Sequence, residues 1–223
     1  SFGSDPHLVA RHTAAFVAGQ QSRGVIATVK HFPGHGATAE DSHVSVPVLE
    51  ASRELLGRRE LVPFQAAIEA GVRLVMTAHI TVPSLDPELP ATLSPAAING
   101  LLRGELGYRG AVVTDGFDMH AISRTVGHAE GAVLALLAGV DAICVGGDST
   151  DPKLVDEMAD AIVAAVESGR HEAVQKVIAA EVAQRGVGLV EVFRISSGNP
   201  RSVEPLVAAQ SPDLPRAHLR ASA

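Results

Sequence analysis

Apolar residues return along the first 170 positions of this 223-residue chain in two alternating rhythms. Leu8, Val9, His12, Ala15, Phe16 and Gly19 recur at helical spacing behind Asp5, a capping residue, and Pro6, suited to a first helical position. This predicts a helix ending near Gly24. A short apolar run over 24–29 then reads as a strand, and a polar loop follows from Lys30. Leu55, Leu56, Leu61, Phe64, Ala67 and Ile68 form the stripe of a second helix over 52–70, broken in two by Pro63 and stopped by Gly71. The stretch VRLVMTAHI, 72–80, is nearly continuous in apolar and branched residues, as in a strand buried on both faces. After a turn-rich loop over 83–90, Ser94 and Pro95 open a helix running to Leu106. The short run 110–114 predicts a strand ending on Asp115, and a helix over His128 to Leu137 leads through Gly139 into a fourth strand, 140–145, closed by Gly146 and Gly147. Asp151 and Pro152 open one more helix to about Glu167. Residues 196–223, rich in Pro, Ser and Arg, read as a flexible tail, which leaves 1–195 as the folded domain.

The order strand then helix recurs four times, which predicts an α/β chain with parallel strands joined by crossover helices. His31, His79, Asp115 and the Gly146-Gly147 pair all fall at C-terminal strand ends, where a (β/α)8 barrel builds its active site. A full barrel takes eight such units and about 250 residues. Two architectures remain open: a four-stranded open sheet, or the second half of a TIM-type (β/α)8 barrel.

Composition narrows the partners. The net charge is −7, from 18 basic and 25 acidic residues, which argues against nucleic acid or an anionic membrane surface. No apolar run reaches the roughly 20 residues of a membrane span, and SFGSDPHLVA lacks the basic and apolar regions of a signal peptide. A cytoplasmic location is the expectation, with an exported or lipid-anchored form left open. The single cysteine, Cys144, lies in the apolar run 140–145, so no internal disulfide is possible and a buried, inert thiol is expected.

Candidate chemistry concentrates in KHFPGHGATAEDSH, residues 30–43. This loop gathers Lys30, His31, His35, Asp41 and His43 directly after a predicted strand, where a rigid scaffold can hold reactive groups. Asp41 and His43 stand two apart, close enough for a carboxylate to orient an imidazole. His35, between Gly34 and Gly36, reads as a shaper of the loop. Strand-end charges that are merely solvated remain the plain alternative for Lys30 and His31, and a satisfied structural role the alternative for His79.

With KHFPGHG and DSH, then MTAHI, then VVTDGFDM, in that order and at plausible spacing, the chain resembles the bacterial β-N-acetylhexosaminidases of glycoside hydrolase family 3. The likeness covers roughly residues 1–150, and SFGSDP resembles the segment after the family's fourth barrel strand. It implies a TIM-type catalytic barrel and retaining removal of terminal N-acetylglucosamine, in turnover of cell-wall fragments. By position, Asp115 would be the nucleophile, His43 the general acid and base, and Asp41 its orienting partner. Lys30 and His31 would bind sugar hydroxyls, His79 would line the pocket, Met119 would form pocket wall, and Asp118 would support or cap. Gly116 departs from the pattern, standing where many members carry a polar residue. Four earlier strands, an acidic sugar ligand and an arginine have no counterpart here, so a barrel fragment is the expectation, with self-association of the half barrel as one consequence. The resemblance implies no cofactor and no metal.

Two other readings use the same residues. His31, His35, His43, His79, Asp41 and Asp115 are metal-ligand types at strand ends, although Pro33 and Gly34 forbid the helix that the His31 and His35 spacing would need. A noncatalytic sugar-binding or assembly module is the third. Water and phosphate both remain possible acceptors for the first.

Overall fold

The computed structural model describes residues 2–38, 46–145, 153–168, 170, 191–195 and 203–208. Asp5 caps helix α1, Pro6–Gln21, by accepting from His7 N–H at 2.9 Å, with Pro6 at the first position as the local sequence dictates. Strand β1, Thr28–Phe32, follows. Ser52 caps α2, Arg53–Arg58, through Leu55 N–H, and α3, Leu61–Glu69, succeeds it. The helix does break in two, but the break falls at Arg59 and Glu60, because Pro63 is tolerated in the first turn of α3, where its missing N–H would be unpaired anyway.

Strand β2, Leu74–Thr77, is shorter than the apolar run that contains it. Beyond Ala78 the backbone turns to other partners: Thr81 N–H donates to Pro47 O, Leu49 N–H to Thr81 O, and Ala91 N–H to Ile80 O. A 3₁₀ turn, Ala91–Leu93, precedes a π-helix, Ala96–Glu105, whose entry is capped by Ser94 Oγ accepting from Ala97 N–H at 3.3 Å. Strand β3, Ala111–Val113, leads to the short α4, His120–Ser123, and to α5, His128–Ala138. Helix α6, Lys153–Glu167, packs on α5; the expected opening residues Asp151 and Pro152 lie outside the described residues.

The three strands form one parallel sheet in the order β1-β2-β3, with Thr28 opposite Leu74 and Leu74 opposite Ala111. Helices α1 and α3 pack together beside it, and Val17, Phe32, Leu56, Phe64, Val75, Ile98 and Val112 share one core. Parallel strands carry their C-terminal ends to one edge, so residues 31, 79 and 115 meet there. Among the described strands β1 pairs on one side only, and Phe16, Val25 and Ile26 beside it are exposed.

The fourth expected strand, 140–145, is a correction. Among the described residues it makes one parallel bridge, Val113 to Ala142. Side chains take over what would have been a ladder: Asp141 Oδ2 accepts Val112 N–H at 2.7 Å, Cys144 N–H donates to Thr114 Oγ1 at 2.9 Å, and Val112 O receives both Asp141 and Ala142 N–H. The tail also carries structure. Strand β4, Glu191–Ile195, pairs antiparallel with β5, Val203–Ala208, across position 195, where the sequence pattern places the start of the tail. None of the helices among the described residues is long and apolar enough to cross a membrane.

Arg103 fastens the segment before β3 to the end of α5. It donates to Gly110 O at 3.2 Å, Gly139 O at 2.9 Å and Asp141 Oδ2 at 2.9 Å. Gly139 ends α5 in the left-handed region (φ 102°), and a Cβ there would meet Asn99 Oδ1 at 2.2 Å, so only glycine fits. Arg103→Met would take a buried donor away from two carbonyls and from a carboxylate that keeps its bond from Val112 N–H. It should cost about 3 kcal/mol, or roughly 10 °C of melting temperature for a chain of this size. Thermal unfolding followed by circular dichroism checks this; an unchanged midpoint would show that the clamp carries little stability.

Candidate active site

Asp115 stands two residues beyond the end of β3, at the edge of the sheet where the parallel strands terminate. Its Oδ1 accepts Gly116 N–H at 2.9 Å, while Oδ2 lies 3.6 Å from His31 Nε2. The two side chains keep 20% and 26% of their surface exposed, so the carboxylate is tethered through Oδ1 and partly open to solvent. His31 sits in β1 beside Phe32, whose ring packs edge to face against Phe64 in the core. Burial lowers the His31 pKa from its ordinary value, and Lys30 and His35 push the same way, against the attraction of Asp115. A neutral imidazole next to the carboxylate is the consequence at neutral pH.

Lys30 is exposed on β1. Its charge is felt at His31 and at Cys144, which places a cation at the mouth of the site. The peptide bonds Lys30-His31 and Phe32-Pro33 are both cis. Gly34, which follows, has φ 134°, and a Cβ on it would come within 2.7 Å of Glu60 Cβ, so the loop lies directly against the start of α3. His35 Nδ1 is 2.6 Å from Thr38 Oγ1, which also donates to His35 O at 2.9 Å. These bonds suit the loop-shaping role read from the sequence. His43 and Asp41 lie outside the described residues.

His79 is fully buried, with Nδ1 2.9 Å from Thr92 Oγ1 and Nε2 3.0 Å from Gly116 O. Both ring nitrogens are occupied by protein, so the side chain holds structure together and offers no free nitrogen to a sugar. Met119 is buried too and caps α4, with its N–H donated to Gly116 O at 3.2 Å. Asp118 is buried beside it. The sequence thus brings Lys30, His31 and Asp115 together at an open surface and places His79 and Met119 beneath it.

Cys144 is half-buried at this edge, not fully buried, because the segment bearing it forms no continuous strand. Burial, then the Asp115 and Asp118 charges, push its thiol up, which keeps it protonated. Thr77 lies within MTAHI and Thr92 in no motif, and their pairing was invisible in the sequence; two buried threonines fifteen residues apart give no local signal. Among the described residues no cluster of three or more His, Cys, Asp or Glu side chains could hold a metal ion.

Residues 1–184 match the family described as glycosyl hydrolase family 3 N terminal domain. A curated β-hexosaminidase of Stenotrophomonas maltophilia (strain K279a) is 45% identical over 163 residues, which are 73% of this chain and 47% of that protein. The chain therefore spans about half the length of the curated relatives it matches. Among solved structures, a glycoside hydrolase family 3 β-N-acetylglucosaminidase from Paenibacillus sp. str. FPU-7 is 49% identical with a TM-score of 0.75, covering 89% of this chain and 38% of its own. The β-N-acetylglucosaminidase from Thermotoga maritima is 35% identical with a TM-score of 0.71, covering 82% of this chain and 40% of its own.

Proposed function

Because the chain belongs to glycosyl hydrolase family 3, we propose that it serves a retaining exo-glycosidase that removes terminal β-linked N-acetylglucosamine through a covalent intermediate on Asp115, in turnover of cell-wall fragments. One observation carries the reading: a partly exposed carboxylate, tethered at Oδ1 and set at the common C-terminal edge of a parallel sheet beside His31 and Lys30. The similar proteins named for β-N-acetylglucosaminidase activity supply the substrate class.

In the first step an Asp115 oxygen attacks the anomeric carbon, and the bond to the leaving oxygen breaks. His43, protonated and oriented by Asp41, gives that oxygen its proton. The glycosyl ester is then hydrolysed: His43 takes a proton from water, the hydroxyl adds to the anomeric carbon, and the Asp115 carboxylate is released. Lys30 and His31 would donate to sugar hydroxyls, whose hydrogen bonds strengthen as the ring gains positive charge. In this reading β1, β2, β3 and the bridge at Ala142 are successive members of a (β/α)8 barrel, which the one-sided pairing of β1 supports.

The test is to incubate the full chain with a 4-nitrophenyl N-acetyl-β-glucosaminide and with a slow 5-fluoro analogue. Nitrophenol release, and a glycosyl adduct mapped by mass spectrometry to the peptide holding Asp115, are expected. An adduct on another carboxylate would overturn the assignment of the nucleophile. Saturable sugar binding with no release would favour the noncatalytic module.

A further inference from the structure

Thr77, Thr92 and His79 are fully buried under the edge of the sheet that bears Asp115. Thr92 Oγ1 lies 2.8 Å from Thr77 Oγ1, 2.9 Å from Ala78 O and 2.9 Å from His79 Nδ1. On the far side of the ring, Nε2 lies 3.0 Å from Gly116 O. A carbonyl only accepts, so the ring proton belongs on Nε2. Burial lowers the pKa of this imidazole, which stays neutral and leaves Nδ1 a bare acceptor. The Thr92 hydroxyl then donates to Nδ1, sharing its proton with Ala78 O, and accepts from Thr77. The chain of donors runs one way: Thr77, Thr92, His79, Gly116.

Gly116 is the residue through which the Asp115 carboxylate is held. Its N–H donates to Asp115 Oδ1 at 2.9 Å, and its carbonyl receives His79 Nε2–H and Met119 N–H, which together use both lone pairs. Phe117 closes against the imidazole edge to face, with centroids 5.9 Å apart. A lysine or arginine could make the same bond to Gly116 O. It would also bury a positive charge next to Asp115 and reduce the carboxylate's basicity, which a neutral imidazole does not.

We propose that His79 is a positioning residue for Asp115: its Nε2–H fixes the Gly116 peptide whose N–H aims the carboxylate, and Thr92 selects the tautomer that makes this bond possible. This rests on the reading of Asp115 as nucleophile. It gives His79 a task other than contact with the sugar, and the departure at Gly116 leaves it intact: what His79 and Asp115 recognise there is a peptide C=O and N–H, which every residue but proline supplies.

The experiment compares the full wild-type chain with His79→Gln, His79→Leu and Thr92→Val. Glutamine can place an amide N–H near the position of Nε2; leucine keeps bulk without a donor; valine removes only the Thr92 hydroxyl. Long-range proton-nitrogen spectra, with the His79 signals identified by their loss in His79→Gln, should show a proton on Nε2 alone at about pH 8. An Nδ1-protonated or doubly protonated ring would overturn the proposal. In His79→Leu, kcat for the aryl N-acetylglucosaminide should fall about 10- to 100-fold, the scale of an ångström's misplacement, with KM within about threefold, and His79→Gln should recover most of the loss. Equal kcat per folded molecule in the Leu and Gln variants would mean a packing role only and sink the idea. Should His79→Leu fail to fold, Thr92→Val decides: a mixed tautomer and a kcat about tenfold lower are expected, and wild-type values for both would overturn the proposal. Absence of turnover in the wild type would count against the glycosidase reading alone. The Gly116 amide signal still tests positioning in that case: it should follow Asp115 ionisation in the wild type and lose that response in Thr92→Val, and an undiminished response would refute the aiming.

Discussion

Asp115→Ala should lower kcat by on the order of 10⁴-fold, the scale seen when one member of a catalytic constellation is removed, and by a similar factor for every leaving group. The reason lies in what the carboxylate does. In the proposed mechanism it forms the bond to the anomeric carbon in the first step, so no quality of leaving group substitutes for it. The backbone that holds it is anchored independently of its side chain, through Gly116 O and the buried His79, so the variant should fold normally. The missing carboxylate leaves space at the sheet edge, and azide should enter it and attack the same face of the sugar. Partial rescue by azide, with an α-glycosyl azide as product, is therefore expected. Product anomers read by NMR check the claim. Retained activity without azide would remove Asp115 from the nucleophile's role.

His43→Ala should show the second largest effect and a different signature. General acid catalysis is worth about 10²- to 10⁴-fold where the departing oxygen needs a proton. The loss should therefore be severe for an alkyl aglycone and mild for a nitrophenyl one in the glycosylation step, with deglycosylation slow for both. Asp41→Asn should behave as a weakened form, because the imidazole loses a negative partner that raises its pKa and holds its tautomer. The sign follows for pH: with Asp41 uncharged the alkaline limb of kcat/KM should move to lower pH, since the imidazolium that must donate then gives up its proton more readily. Rates against leaving-group pKa for the wild type and both variants provide the measurement. An unchanged dependence in His43→Ala would take the acid role from His43.

Much of the architecture was legible locally. Capping at Asp5 with Pro6, the opening at Ser94, and the stop at Gly71 depend on residues within a few positions of the backbone they satisfy, so helix starts and ends could be read directly. The run 72–80 announced a buried parallel strand, and with β1 and β3 it placed His31, His79 and Asp115 at one edge of the sheet. That much follows from hydrophobic periodicity and from parallel pairing alone. The neighbouring Asp41 and His43 were singled out by spacing and resemblance, and their roles remain part of the proposal.

Tertiary structure decided what depends on partners far along the chain. Residues 140–145 have the composition of a strand, yet Asp141 and Thr114 supply side-chain bonds that interrupt the ladder and reduce it to one bridge. Sequence spacing suggested His79 as pocket lining; only the approach of Thr92 on one side and Gly116 on the other showed both nitrogens engaged. The closeness of Gly34 to Glu60 and the buried clamp of Arg103 on Gly139 and Asp141 likewise join residues 26 to 38 positions apart. A single sequence shows which residues can pack or donate. Which donor meets which acceptor inside the core is set by the long-range approach of whole elements, and that is why the place of Asp115 at the sheet edge was readable from sequence while the bonds of Thr92, His79 and Gly116 beneath it were not.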